Sequence, residues 1–450
     1  MMLYLNQLKR EGINSLKYVG KRFPVEAFIY LALFVNYLSL IYEMMKPSTW
    51  LIIIEALIGV MLISIFRYGR KVFPGVKNWK FVKILILSVL IGVVLVNYGY
   101  VIIAKDKTTS KYISDVALVS EDAVMALADR QNPYQVSYGN ASTGKWDDGY
   151  VYLPIKNDKM LVIKNPTIEH LPYLPGIFIP TYPAYFLSHN IFKYFDIRWV
   201  FVMAFIIMAF FIYRLPEAIN RKRWLLMLFI FNPLFIPMFG VGHNEVLVYL
   251  WLILFLFKLK NNNFTWATFW LSLAVITKQS VWPLLPFYLI YLIIELREKN
   301  KKNIVIFRRL MKIVWLPLLI SLIMLAPFIV DDFSAFKDDV FDYLAGTSNV
   351  NYPVAGIGLG RLLLDNGFIG SYFDYYPFWI WQLIFSLPAL LVLAFWQIRN
   401  NTIGQMMLNY ALLLSVFWFM SRYFHTSHVG FIVGLIFLSY FTVKKTSPQN

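Results

Sequence analysis

The chain contains no cysteine, so disulfides, thiol nucleophiles, iron–sulfur clusters and Cys-ligated zinc are excluded. It is also poor in charge. Only 15% of its 450 residues are Asp, Glu, Lys or Arg, where a soluble globular protein carries about 25%. Hydrophobic residues make up 59%. So little polar surface cannot cover a water-soluble globule, and soluble enzymes, DNA-binding proteins, disulfide-stapled secreted domains and outer-membrane barrels are excluded. The sequence has no Asp-x-Asp, and its five histidines form no His-x-x-x-His on a helix. No metal or cofactor is expected. Nor is there an internal repeat between the two halves, which argues against the repeat-built transporters.

What is present is a series of apolar runs with few charges. They lie at 25–44, 49–66, 84–103, 199–213, 224–240, 246–257, 264–277, 281–294, 314–330, 378–397, 402–420 and 430–442. These read as about 12 transmembrane helices of an all-α polytopic membrane protein. The net charge of +17 follows topology. With the N-terminus in the cytoplasm, the inner segments and their span ends hold 27 of the 42 Lys and Arg but 6 of the 25 acids. That asymmetry is the orientation rule of helical membrane proteins. Both termini are then cytoplasmic, and the basic excess meets anionic lipid heads, not nucleic acid. The basic flank Lys17, Lys21, Arg22 precedes an apolar run without a small-residue cleavage site, so a retained first span is expected.

Two connections on the outer side are long: 104–198, with 95 residues, and 331–377, with 47. Long loops with structure of their own are usually functional. The first has apolar residues at helical spacing over Val116–Ala128 and a hairpin pattern over Gly149–Ile163, turning at Lys156–Lys159. The aromatic run Tyr182–Trp199 suits an interfacial helix. Asp147-Asp148-Gly149 is a turn signal. Several spans have only 12 to 14 residues, where about 20 are needed to cross. Their outer junctions carry Gly242-His-Asn-Glu245, Thr277-Lys-Gln279 and Arg422-Tyr-Phe-His425, which predicts one polar cavity roofed by the long loops. The chain divides into a basic N-terminal segment with an accessory hairpin (1–83), a core with the first long loop (84–330), and a C-terminal part with the second loop (331–450).

The string from Asp115 to Asn132-Pro133-Tyr134 resembles the first outer loop of the GT-C membrane glycosyltransferases. Glycosyltransferase family 87 and the polyprenyl-phosphate-mannose-dependent mannosyltransferases are the most similar in this respect. In those enzymes an Asp just past a membrane helix opens a short helix ending near Asn/Asp-Pro-Tyr. The similarity continues at Tyr173-Leu-Pro-Gly176, Asn232-Pro233, Gly242-His-Asn-Glu245 and Lys278, covering roughly residues 110–295. The chain departs from the pattern in its two preceding spans, in His243 where Gln is commoner, and in Arg130-Gln131 where a small Gly is usual. The resemblance implies a GT-C-like bundle, a polyprenyl-phosphate sugar donor, inversion at the transferred sugar, and Asp115 as general base.

One carboxylate suffices for that chemistry. Ordinary glycosidic hydrolysis takes two, because a sugar alkoxide leaves badly, whereas a phosphate leaves without a proton. The acceptor hydroxyl needs one base and the phosphate needs cationic donors. By position alone, Asp115 is equally a helix cap. Glu121 and Asp122 either orient substrate hydroxyls or form a solvated helix face. His243, Asn244 and Glu245 suit sugar hydroxyls, or Glu245 caps the next helix. Lys278, with Gln279 beside it, suits a donor phosphate or snorkels to the interface. Arg422, His425 and His428 form a second basic cluster, for phosphate or lipid heads. His170 and Tyr173 line the cavity or hold the loop. Glu55, inside the second span, either pairs with a neighbouring helix or faces a watery crevice.

The function these readings support is an inverting hexosyltransferase on the outer face of a cell membrane. Mannose is the sugar the resemblance favours, and a glycolipid or cell-envelope glycan is the expected acceptor. Two other classes stay open: a transporter or flippase of lipid-linked glycan, and a polysaccharide polymerase or ligase.

Overall fold

The computed structural model describes residues 34–35, 37–38, 53–61, 65, 75, 77–104, 107–154, 160–299 and 302–442. The expected spans 25–44 and 49–66 lie largely outside them, as does the hairpin turn at 156–159. The described chain is mostly helical. Among the described residues, five helices are long and apolar enough to cross a membrane: Phe81–Ile103, Ile197–Arg214, Gln279–Glu298, Asn303–Asp331 and Phe378–Arg399. That is the make-up of an all-α membrane protein.

The first described long helix is α1 (Trp79–Ala104). The loop that follows contains α2 (Asp115–Ala128), the strands β1 (Tyr150–Pro154) and β2 (Met160–Lys164), and α3 (Phe178–Phe192). Then come α4 (Ile197–Arg214), α5 (Ile219–Ile230), α6 (Ile236–Gly240), α7 (Glu245–Lys260), α8 (Phe264–Val275), α9 (Leu285–Lys299) and α10 (Asn303–Asp331). After the second long loop follow α11 (Phe378–Arg399), α12 (Ile403–Phe419) and α13 (Thr426–Thr442). The strands β1 and β2 pair antiparallel, Tyr150 facing Lys164 and Leu153 facing Leu161. A second, parallel pair joins β3 (Ala355–Gly356) of the second loop to β4 (Tyr423–Phe424), between α12 and α13.

Helix α7 is apolar all round, and such a helix is stable only when enclosed. Val246 to Tyr249 and Leu252 to Leu256 are all buried, with α4 and α8 packed against it. Tyr249 donates to the carbonyl of Phe431, 2.6 Å away, and so ties α7 to α13. By contrast, α10 and α11 expose Trp315, Leu318, Leu322 and Ile323, and Leu383, Leu387, Leu391 and Val392. Apolar faces of that size need hydrocarbon or another protein against them.

The element bounds differ from the apolar runs where local chemistry intervenes. The run 224–240 is two helices, α5 and α6, because Pro233 has no amide hydrogen and Asn232 Oδ1 accepts from Leu234 N at 3.0 Å. The short runs 281–294 and 430–442 extend to Gln279–Glu298 and Thr426–Thr442, since polar residues continue both helices. Much of the basic segment 295–313 is helical as well, belonging to α9 and α10.

Among the described residues of 104–198, α2 is packed into its surroundings. Helix α2 buries Ala117, Leu118, Val119, Ala123 and Val124, and Trp146 donates to the carbonyl of Ile113 at 2.8 Å. Asp147, Asp148 and Gly149 take positive φ of 44°, 57° and 79°, a left-handed turn in which Asp147 accepts from Ser110 N.

Candidate functional site

The polar junctions converge at one end of the helix bundle. Ser114 N donates to the carbonyl of Val241 at 2.7 Å, which sets the start of α2 beside the Gly242–Glu245 turn. Gly242, at φ +88°, packs so closely on Ala117 that a Cβ there would lie 2.9 Å from the Ala117 methyl. The cap of α2 is Ser114, whose Oγ accepts from Ala117 N at 3.2 Å. Asp115 is therefore spared that task, and its Oδ1 accepts from Val116 N at 2.8 Å. Asp115 is enclosed yet keeps partial solvent contact. Burial pushes its carboxyl pKa up, opposed by the nearby His243.

Behind this pair lies a second polar layer. Lys278 Nζ sits 2.6 Å from Glu245 Oε1 and 3.1 Å from Asn244 Oδ1. His243 Nδ1 approaches Glu245 Oε2 at 3.5 Å. A backbone seam positions Lys278: Gly176 N donates to the Ile276 carbonyl at 2.8 Å, and Thr277 Oγ1 donates to the Gly176 carbonyl at 3.1 Å. The same seam brings Tyr173 over Lys278, 6.0 Å from the ring centre. Tyr134 locks this loop by donating to the Tyr173 carbonyl at 2.8 Å. Asn132 of the same Asn-Pro-Tyr donates to Asp331 at the end of α10.

A wall of tyrosines completes the site. Tyr173, Tyr343, Tyr352 and Tyr423 all lie within electrostatic reach of the Asp115 carboxylate. Tyr352 meets both Tyr343 and Tyr423 edge-on, at 5.3 and 4.9 Å between ring centres. Tyr343 and Tyr352 come from the second long loop, where no periodic or motif signal marks them, and Tyr423 comes from the Arg422–His425 junction.

Other expected site residues are engaged elsewhere. Glu121 is buried against Lys107 at 2.7 Å and accepts from Ile197 N at 2.9 Å; burial raises its pKa against the pull of Lys107. Asp196, beside the same Lys107, is paired with Arg198 at 2.7 Å. Asp122 Oδ2 accepts from the amide and hydroxyl of Thr143, at 2.8 and 2.6 Å. Neither acid forms a solvated face. Gln279 bridges the two loops, donating to the carbonyls of Pro172 and Val340. Arg422 donates to the carbonyls of Tyr352, Tyr372 and Asp374, so its guanidinium clamps the second loop. His425 lies near His243, and burial lowers its pKa. Glu55 shares Asn97 with Tyr37, far from these loops in sequence.

His170 is held by Asp339, its Nδ1 2.8 Å from Oδ1, while Leu171 N donates to the other carboxylate oxygen at 3.0 Å. Its ring stacks on Tyr343 at 4.3 Å. Asp338 comes within 3.6 Å of the same Nδ1, and His170, Asp338 and Asp339 could together hold a cation. A direct His–Asp hydrogen bond already satisfies Nδ1, so the geometry is that of an oriented imidazole.

Four buried polar atoms around this site have no hydrogen-bond partner among the described residues: His170 Nε2, Asn244 Nδ2, Glu245 Oε2 and Tyr343 Oη. Each such atom costs about 1–3 kcal/mol unless a ligand or water meets it. Clustered donors and acceptors, one enclosed carboxylate, an ammonium and an aromatic wall are the groups that bind a polyol next to an anion. A scan of family models finds no match for this chain, and no curated protein or solved structure matches it.

Proposed function

We propose that the protein is an inverting membrane glycosyltransferase, moving a hexose from a polyprenyl-phosphate donor to a lipid-linked or cell-envelope glycan. The observation that carries this reading is the position of Asp115. It stands enclosed but accessible, relieved of capping by Ser114, beside His243 and facing the tyrosine wall. The acceptor hydroxyl gives its proton to the Asp115 carboxylate as its oxygen attacks the anomeric carbon. The bond from that carbon to the phosphate oxygen breaks, and the electron pair leaves on the phosphate. A single displacement inverts the centre. Lys278 has three N–H donors, of which Asn244 and Glu245 take two, and the third is available to the phosphate.

The basic excess in the alternate connections supports an outer-face location for this end of the bundle and cytoplasmic termini. Mannose is the sugar favoured by the resemblance to the polyprenyl-phosphate-mannose enzymes. The test is transfer of labelled hexose from a short-chain polyprenyl-phosphate donor by the full chain in liposomes, with Asp115→Asn as the comparison. Transfer by the wild type that the variant lacks supports both the reaction and the base. A wild type that consumes no hexose donor contradicts the reading.

A further inference from the structure

Tyr343 has every reason to be a phenylalanine except its hydroxyl. It lies in the second long loop, fully enclosed. One ring face stacks on His170, at 4.3 Å and 19° between planes, and Tyr352 meets it edge-on at 5.3 Å and 87°. Its carbonyl accepts from Tyr352 N at 3.1 Å, fixing the backbone as well. His170 is itself fixed by the two-point grip of Asp339 on the imidazole and on Leu171 N. The aromatic ring is thus held without any help from Oη, which has no hydrogen-bond partner among the described residues. Enclosing a hydroxyl without a partner costs free energy that Phe would not incur. Of the carboxylates near it, Asp115 acts most strongly on the phenol, ahead of Asp339. Burial and these two acids hold the phenol pKa well above its ordinary range, so Oη stays protonated and can donate.

We infer that Tyr343 Oη binds a carbohydrate hydroxyl at the Asp115 site and so acts as a specificity-determining residue, with His170 and Asp339 as its positioning residues. The inference rests on the proposed glycosyl transfer for the identity of the ligand. Its hydroxyl belongs either to the transferred hexose or to the acceptor glycan, which the same experiment separates. A site built to bond a hydroxyl discriminates strongly against an analogue lacking it, because its own polar group is then left unpaired.

The experiment compares wild type and Tyr343→Phe, full-length in liposomes, with a hexose donor, its monodeoxy analogues, and deoxy acceptors. Tyr343→Phe keeps both ring contacts and sheds the unpartnered hydroxyl, so it is expected to melt at or above the wild-type temperature. It should lose roughly 10- to 100-fold in kcat/KM, mainly through KM. One deoxy analogue should cost the wild type the same factor and cost Tyr343→Phe nothing further. If that analogue is a donor, the hydroxyl is the transferred sugar's; if an acceptor, the glycan's. Full activity in Tyr343→Phe, or equal further losses with every analogue, overturns the inference while leaving glycosyl transfer intact. If the wild type turns over no hexose donor, the transfer reading fails, and ligand-induced shifts in melting temperature with the same donors and glycans decide for Tyr343. A shift seen in wild type and lost in Tyr343→Phe upholds it; no shift in wild type overturns it.

Discussion

Lys278 and Glu245 form a close ion pair, 2.6 Å from Nζ to Oε1, with both side chains largely withdrawn from solvent. A lysine at the end of a short apolar helix reads as a free cation for a phosphate. Here it is a half-neutralised one, with Glu245 and Asn244 fixing its direction. The pair makes the junctions after α6 and α8 a single unit.

Breaking this pair should hurt folding and function differently. Glu245→Gln or Lys278→Met alone leaves a poorly solvated charge, and each should destabilise by roughly 1–3 kcal/mol, between exposed and fully buried pairs. The double variant should recover much of the melting temperature but none of the donor turnover. Thermal melts and transfer assays on the three variants check this.

The pH profile should report Asp115. Its folded pKa is raised by burial, so the carboxyl holds its proton to higher pH than an exposed Asp, ordinarily near about 3.9. Only the ionised form can accept the hydroxyl proton. Activity is therefore expected above the raised pKa and lost as pH falls through it. An acid limb of kcat/KM at the ordinary Asp value would contradict the assignment.

Arg422 should behave as a structural clamp. Its three carbonyl bonds hold 352–374, and Gly346, at φ +83°, packs against the guanidinium so tightly that a Cβ there would collide with Nη1. Arg422→Met and Gly346→Ala should both loosen the second loop, seen as faster amide exchange over 343–375. A phosphate-binding Arg422 would instead raise the donor KM with exchange unchanged.

Gly176 should tolerate no side chain. A Cβ would fall 2.6 Å from the Ile276 carbonyl carbon and oxygen. Gly176→Ala must part the seam that sets Tyr173 over Lys278, and should cost about 1–3 kcal/mol by overpacking. A thermal melt reads this directly, and an unchanged melting temperature would contradict the packing described.

How much of this was legible beforehand varies by residue. The apolar runs foretold most helices, because hydrophobic length is a local property. Asn232-Pro233 breaks the helix inside the run 224–240, which hydrophobicity alone presents as continuous. Asp115, His243, Glu245 and Lys278 stood out as polar residues at apolar junctions, and the structure brings them together. Glu121 and Asp122, about two helical turns after Asp115, are instead bonded to Lys107, Ile197 and Thr143, partners 14 to 76 residues away. Of the tyrosine wall, Tyr173 was an expected cavity residue and Tyr423 lies within the Arg422–His425 junction. Tyr343 and Tyr352 are ordinary residues in an aromatic-rich chain until the second loop folds over α2, and no local spacing encodes that.

The most direct test of the account is sugar transfer by wild type and Asp115→Asn, side by side. Because Ser114 caps α2, the variant should fold and melt like wild type. It should lose roughly 10²–10⁴-fold in turnover, the usual contribution of a general base. Equal turnover in the two proteins, with a hexose donor the wild type consumes, would contradict the role given to Asp115.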